Sequence, residues 1–194
     1  MIFTDIHYAI FFAIVLAATL SAQQLQSTNF RNLILLVASY IFYGWWDPRF
    51  LLLLALSSSV DYVAALAMEG RIKHCPAWLT RKRALLVSIF VNLSILCTFK
   101  YLNFFADSAE MLLASINIHI DQIYLSIVLP VGISFYTFQS MSYSIDVYRR
   151  RQSAETNPVD FFLFVSFFPQ LVAGPIERAG NLLTQIKKSR RINR

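Results

Sequence analysis

Gln139, Tyr143 and Asp146 stand at i, i+4 and i+7 inside an otherwise apolar stretch, Leu129–Arg149, so on a helix they share one face. An amide, a phenol and a carboxylate on one face suit a polar ligand or the wall of a passage. The same groups equally suit hydrogen bonds between helices, which membrane bundles use routinely. Further along, Phe167–Arg178 reads FFPQLVAGPIER and gathers Pro169, Gln170, Gly174, Pro175, Glu177 and Arg178 into ten residues. Proline and glycine there interrupt any helix, as Pro130 and Gly132 do in the first stretch. The freed backbone groups need partners, which Gln170, Glu177, Arg178 or a ligand can supply. Arg178 suits an anionic ligand; its plainer role is a topogenic or headgroup-binding arginine. Asp146 and Arg149, three apart, suit a local ion pair.

The elements that position these residues are membrane-like. Of 194 residues, 57% are hydrophobic and only 14% charged, whereas soluble domains carry about 25% charged residues. The apolar residues fall in blocks near the roughly 20 residues of a bilayer crossing, which argues against a soluble helical protein. Polar and helix-breaking residues at membrane depth are tolerated only where they face protein or a cavity. The blocks are expected at 6–22, 32–46, 50–68, 84–105, 123–148 and 159–173. The second ends in an aromatic belt, Tyr40 to Trp46, and Asp47-Pro48-Arg49 then turns the chain into the third. Asp61 lies inside the third block and requires a partner, water or a proton. Lys100, late in the fourth, reads as a snorkelling side chain. Residues 107–121 form a half-apolar connector with a weak amphipathic pattern, and Pro130 either kinks the fifth block or ends a short preceding helix.

The predicted fold is therefore all-α: a polytopic transmembrane bundle with about five crossings and a re-entrant segment, forming one domain over 1–194. The first block has Asp5 rather than basic residues before it, and reads as an uncleaved helix rather than a secretory signal. Five crossings put 15 of the 17 Lys and Arg on one side, leaving Arg49 and Lys100 opposite. By the positive-inside rule that side is cytoplasmic, with the N-terminus outside, in the periplasm if the protein is bacterial. A sixth crossing by 159–173 would carry the basic tail outside, so a segment that enters and returns is expected. The net charge of +6 is thus accounted for by cytoplasmic loops, and nucleic acid is not an expected partner. Cys75 and Cys97 lie in different environments, and neither a disulfide framework nor a metal-ligand spacing is present. No internal repeat marks a transporter.

Three motifs, SYIFYGWW, LPVGISFYTFQSMSYSIDVYR and FFPQLVAGPIER, with FKYLNFFADS at Phe99–Ser108, resemble the membrane-bound O-acyltransferases in order and spacing. Within that family they are most similar to the branch that O-acetylates alginate-type exopolysaccharides. The resemblance covers essentially the whole chain. It implies helices around a tunnel, a cytoplasmic acyl donor such as acetyl-CoA or another acyl thioester, and no permanently bound cofactor. It also implies a polysaccharide acceptor, periplasmic acetyl-transfer partners and a location in the bacterial inner membrane. The family's central histidine lies on an apolar helix of the C-terminal half. None of His7, His74 and His119 stands in that context, so the resemblance assigns no catalytic residue here. Asp61 and Asp146 remain bases only by default. The expectation is an N-terminal portion whose C-terminal half is absent, either part of a working acetyltransferase or its non-catalytic scaffold. Gln139, Tyr143, Asp146, Gln170 and Arg178 are then the candidates for lining its tunnel.

Overall fold

The computed structural model describes residues 6–24, 27–73, 76, 78–115, 130–171, 174 and 177–188. All regular structure among them is helical: α1 (Ile6–Gln24), α2 (Thr28–Gly44), α3 (Arg49–Met68), α4 (Arg81–Ser115), α5 (Ile133–Tyr148), α6 (Pro158–Ser166), α7 (Phe168–Leu171) and α8 (Ala179–Lys187). Among the described residues, α3 and the Arg81–Tyr101 part of α4 are long and apolar enough to cross a membrane. Ile6–Ala22 and Pro158–Leu171 are shorter apolar helices. Pro175, His74, His119, Cys75 and the part of the fifth block before Pro130 lie outside the described residues.

Local chemistry sets several helix ends. The Ser27 hydroxyl accepts from the Phe30 amide at 3.3 Å and starts α2. The Asp47 carboxylate accepts from the Arg49 amide at 2.9 Å where α3 begins. Asn157 accepts from the Val159 amide at 3.1 Å and Pro158 occupies the first turn of α6. Two expected boundaries move. No Pro or Gly interrupts 81–115, so α4 continues into the predicted connector as far as Ser115, for 35 residues, about 52 Å at 1.5 Å per residue. α5 begins only at Ile133, because Gly132 adopts φ +75°, a left-handed conformation that glycine reaches without strain. Pro130 sits before that turn, buried, and not within a helix.

α3, α4 and α5 pack mutually, and α2 packs along α6. Hydrogen bonds define two ends of the bundle. At the basic end, the Arg81 guanidinium donates to the carbonyls of Met68 at 2.9 Å, Val147 at 3.2 Å and Tyr148 at 3.1 Å. This ties the end of α3, the start of α4 and the end of α5 together. At the opposite end, the Tyr43 hydroxyl donates to the Val131 carbonyl at 3.0 Å, and the Phe50 ring meets the edge of Phe99.

The segment from α6 to α8 starts and finishes at the basic end. The Asn32 amide, near the start of α2, donates both to Asp160 at 2.7 Å and to the Ile186 carbonyl at 3.2 Å. Lys187 pairs with Glu155 at 2.8 Å. Between these points α6 and α7 run toward the opposite end. The Phe168 amide bonds the Ser39 hydroxyl at 3.2 Å, its ring joins Phe11 and Phe42, and the Leu171 carbonyl reaches Gly132. α8 buries Ala179, Leu183 and Ile186, spaced i, i+4 and i+7, and turns its polar side outward.

Candidate functional site

Seven residues after Leu171, Arg178 lies beside the far end of α5. There a cleft of about 270 Å³ is lined by Phe138, Met141, Ser142, Ile145, Asp146, Arg149, Arg151 and Arg178. Its back wall is the apolar side of α5 and its mouth is cationic. α5 ends in a Schellman turn that aims this mouth: the Arg150 amide donates to Val147 O at 3.0 Å and the Arg151 amide to Asp146 O at 2.9 Å. Arg150 takes the left-handed position of that turn at φ 59°, where glycine is usual. The reversal sets Arg149 and Arg151 on the cleft with Arg178 and leaves Arg150 outside it.

The described guanidiniums fall into two groups. Those of Arg31, Arg49, Arg71, Arg81 and Arg83 all donate to carbonyls or carboxylates of the protein. Among the described residues, Arg149, Arg150, Arg151 and Arg178 make no side-chain hydrogen bond or ion pair, and the expected Asp146–Arg149 pair does not form. Three guanidiniums without a bonded partner thus line one cavity together with the Asp146 carboxylate, and their planar donors match phosphate and carboxylate oxygens.

The structure separates the predicted face of α5. Asp146 and Arg178 come together in the cleft. Gln139 and Tyr143 are buried, and instead hold the helix to its neighbours: Gln139 donates to the Phe164 carbonyl at 2.7 Å and the Tyr143 hydroxyl accepts from the Glu155 amide at 2.8 Å. Gln170 is buried on α7, its backbone amide bonded to Phe167 O at 3.0 Å. Gly174 is pressed against it, so that an added β-carbon would meet Gln170 Cγ at 2.4 Å and Cα at 2.9 Å. Pro169 is inside the single turn of α7. A wider groove between α2 and α3, about 710 Å³ around Tyr40 and Trp45, is almost wholly apolar.

Asp61 has the partners that its depth requires. It is buried between α3, α4 and α5, and accepts from Asn92 Nδ2 at 2.9 Å, Ser144 Oγ at 3.0 Å and the Ser88 hydroxyl. The Ser57 hydroxyl donates to Asn92 Oδ1 in turn. Sequence reasoning singled out Asp61 but not this set. The signal was there in Ser88 and Asn92, i and i+4 within an apolar block.

Comparison with known proteins agrees with the motifs. Over 179 residues the chain is 39% identical to a protein named probable alginate O-acetylase from Pseudomonas aeruginosa. A protein of the same name from Pseudomonas putida is 41% identical over 177 residues. Each match takes in 91% of this chain. The chain is related over nearly all of its own length to proteins named probable alginate O-acetylase. A peptidoglycan O-acetyltransferase from Helicobacter pylori is 31% identical over 182 residues and 81% of this chain. The chain spans about a third of the length of these curated relatives, from 33% to 36%. No family model matches it, and no solved structure does.

Proposed function

We propose that this chain forms part of a membrane O-acetyltransferase that modifies a cell-surface polysaccharide, and that the arginine cleft receives the anionic end of its acyl donor. The observation that carries this reading is the unpaired trio Arg149, Arg151 and Arg178 around a cavity with an apolar back wall. A donor of the acetyl-CoA type, an acyl thioester carrying phosphates, has matching parts. Its phosphates suit the guanidiniums, and its thioester arm suits the side of α5 formed by Phe138, Met141 and Ile145.

In such a transfer an acceptor hydroxyl oxygen attacks the thioester carbonyl. The C–O bond forms, the C–S bond breaks, the hydroxyl proton passes to a base, and the thiol leaves. The cleft residues hold and orient the donor. The base, in this reading an intramembrane histidine of the family type, comes from the two thirds of such proteins that this chain does not span.

The topology that goes with this reading has α1 to α5 as five crossings and α6–α7 as a re-entrant element. Its support is that the segment from Asp160 to Ile186 leaves from and returns to Asn32 at the basic end. The basic end then faces the cytoplasm and the start of α1 the periplasm, in the inner membrane of a bacterium. Partners beyond the membrane lipid are the acceptor polysaccharide and periplasmic proteins that place the acetyl group.

The test is coenzyme A binding to the full chain in lipid nanodiscs. Charge-assisted hydrogen bonds contribute about 1.5–3 kcal/mol each. Replacing Arg149, Arg151 and Arg178 together by glutamine is therefore expected to weaken binding by at least tenfold, while Arg71→Gln and Arg83→Gln leave it unchanged. Equal affinity in the triple variant would remove the cleft from the account.

A further inference from the structure

The arginine cleft and the Asp61 cluster occupy different faces of one helix. Thr137, Ser140 and Ser144, at i, i+3 and i+7, form the buried polar side of α5, and Phe138, Ser142, Ile145 and Arg149 form the cleft side. The rotation of α5 about its axis therefore decides whether Asp146, Arg149 and Arg151 face Arg178. In a bilayer, apolar contact between helices competes with equally apolar lipid and fixes rotation poorly; directional hydrogen bonds and close packing do so instead. On the side of α5 that faces α3 and α4, the side-chain bond that leaves the helix goes to Asp61, while Gln139 and Tyr143 tie α5 to α6 and the 149–157 loop. Ser144 donates to Asp61 Oδ1 at 3.0 Å, while Ser88 and Asn92 tie the same carboxyl to α4.

We infer that Asp61 is a positioning residue for the cleft: the junction it makes between α3, α4 and α5 sets the rotation of α5 that brings Arg149 and Arg151 to Arg178. The inference takes the cleft to be the donor site proposed above, but its geometric part stands without a ligand. Asparagine can replace the carboxylate. Its carbonyl keeps the bonds from Ser88 and Ser144. Its amide replaces the oxygen that faces Asn92, so the bond from Asn92 is given up while the Asn92 NH₂ stays on the Ser88 carbonyl and the bond to α5 is kept. Leucine cannot, and it strands Ser88, Asn92 and Ser144.

Two measurements test this on the full chain in nanodiscs. The first is the distance between spin labels at Arg150→Cys and Gly180→Cys in a Cys75→Ser, Cys97→Ser background. With Asp61→Leu added it is expected to shift or broaden, and with Asp61→Asn to stay as in the parent. The second is coenzyme A affinity, expected to fall about tenfold with Asp61→Leu, the scale of one or two lost interhelical bonds, and to recover with Asp61→Asn. An unchanged distance in folded Asp61→Leu overturns the inference, as does Asp61→Asn moving α5 as far as Asp61→Leu. If Asp61→Leu does not fold, Ser144→Ala, which cuts the direct bond to α5, takes its place under the same criteria. If the parent chain binds no coenzyme A, the donor reading fails while the distance still decides the role of Asp61.

Discussion

The side-chain amide of Asn32 meets the carboxylate of Asp160 at 2.7 Å, both residues buried, where α2 begins and α6 sets out. The same amide holds the Ile186 carbonyl at the end of α8. One side chain thus closes the excursion made by α6, α7 and the chain that follows. Asn32→Leu removes both bonds and leaves Asp160 without this donor. The cost is expected at about 1–3 kcal/mol, read as a lower unfolding temperature in detergent and faster proteolysis between α6 and α8. Unchanged stability would mean that the excursion does not depend on this junction.

Gly132 carries two constraints at once. Its φ is +75°, and a β-carbon there would stand 2.9 Å from the Leu171 carbonyl oxygen, a backbone atom that cannot rotate away. Gly132→Ala is expected to destabilise by about 1–3 kcal/mol. Gly180→Ala, where the nearest atom would be Gln152 Oε1 at 3.8 Å, is expected to change stability little. Thermal unfolding of the pair checks the contrast.

Arg150 makes the opposite case. A left-handed arginine at φ 59° carries strain that glycine would relieve. Arg150→Gly is expected to stabilise the chain by about 0.5–1 kcal/mol, with coenzyme A affinity unchanged because Arg150 is outside the cleft. A large loss of affinity would show that Arg150 takes part in binding.

The sequence was most informative where local chemistry and composition decide the outcome. The turn at Asp47-Pro48-Arg49 and the apolar run to Met68 predict α3 to within a residue of its start. Pro130 and Gly132 mark a break inside the predicted fifth block, but composition does not say whether it kinks one helix or starts another; the left-handed Gly132 starts α5 at Ile133. The half-polar composition of 107–121 suggested a connector, but nothing between 81 and 115 breaks a helix, and α4 continues into it as far as Ser115. Arg178 was legible as an anion contact. Its meeting with Arg149 and Arg151 was not, because it depends on the return of the chain after α7, which no local pattern records. The equal spacing of Gln139, Tyr143 and Asp146 was real, yet the packing of α6 and the 149–157 loop buries the first two and leaves the third on the cleft.

Orientation has its own check. A reporter enzyme fused after Arg194 and one inserted at Gln152 are expected to report the same, cytoplasmic side, as the re-entrant reading requires. Opposite sides would make α6–α7 part of a full crossing.

In the proposed reading an acyl donor approaches the arginine cleft from the basic side of the membrane. The most direct measurement is photo-crosslinking of a diazirine-bearing acyl-CoA to cells' sealed membrane vesicles of both orientations, followed by peptide mapping. Labelling is expected in inside-out vesicles only, on peptides that contain Phe138–Arg151 or Arg178, and to disappear when Arg149, Arg151 and Arg178 are replaced by glutamine. Labelling confined to right-side-out vesicles, or persisting undiminished in the triple variant, would contradict the account.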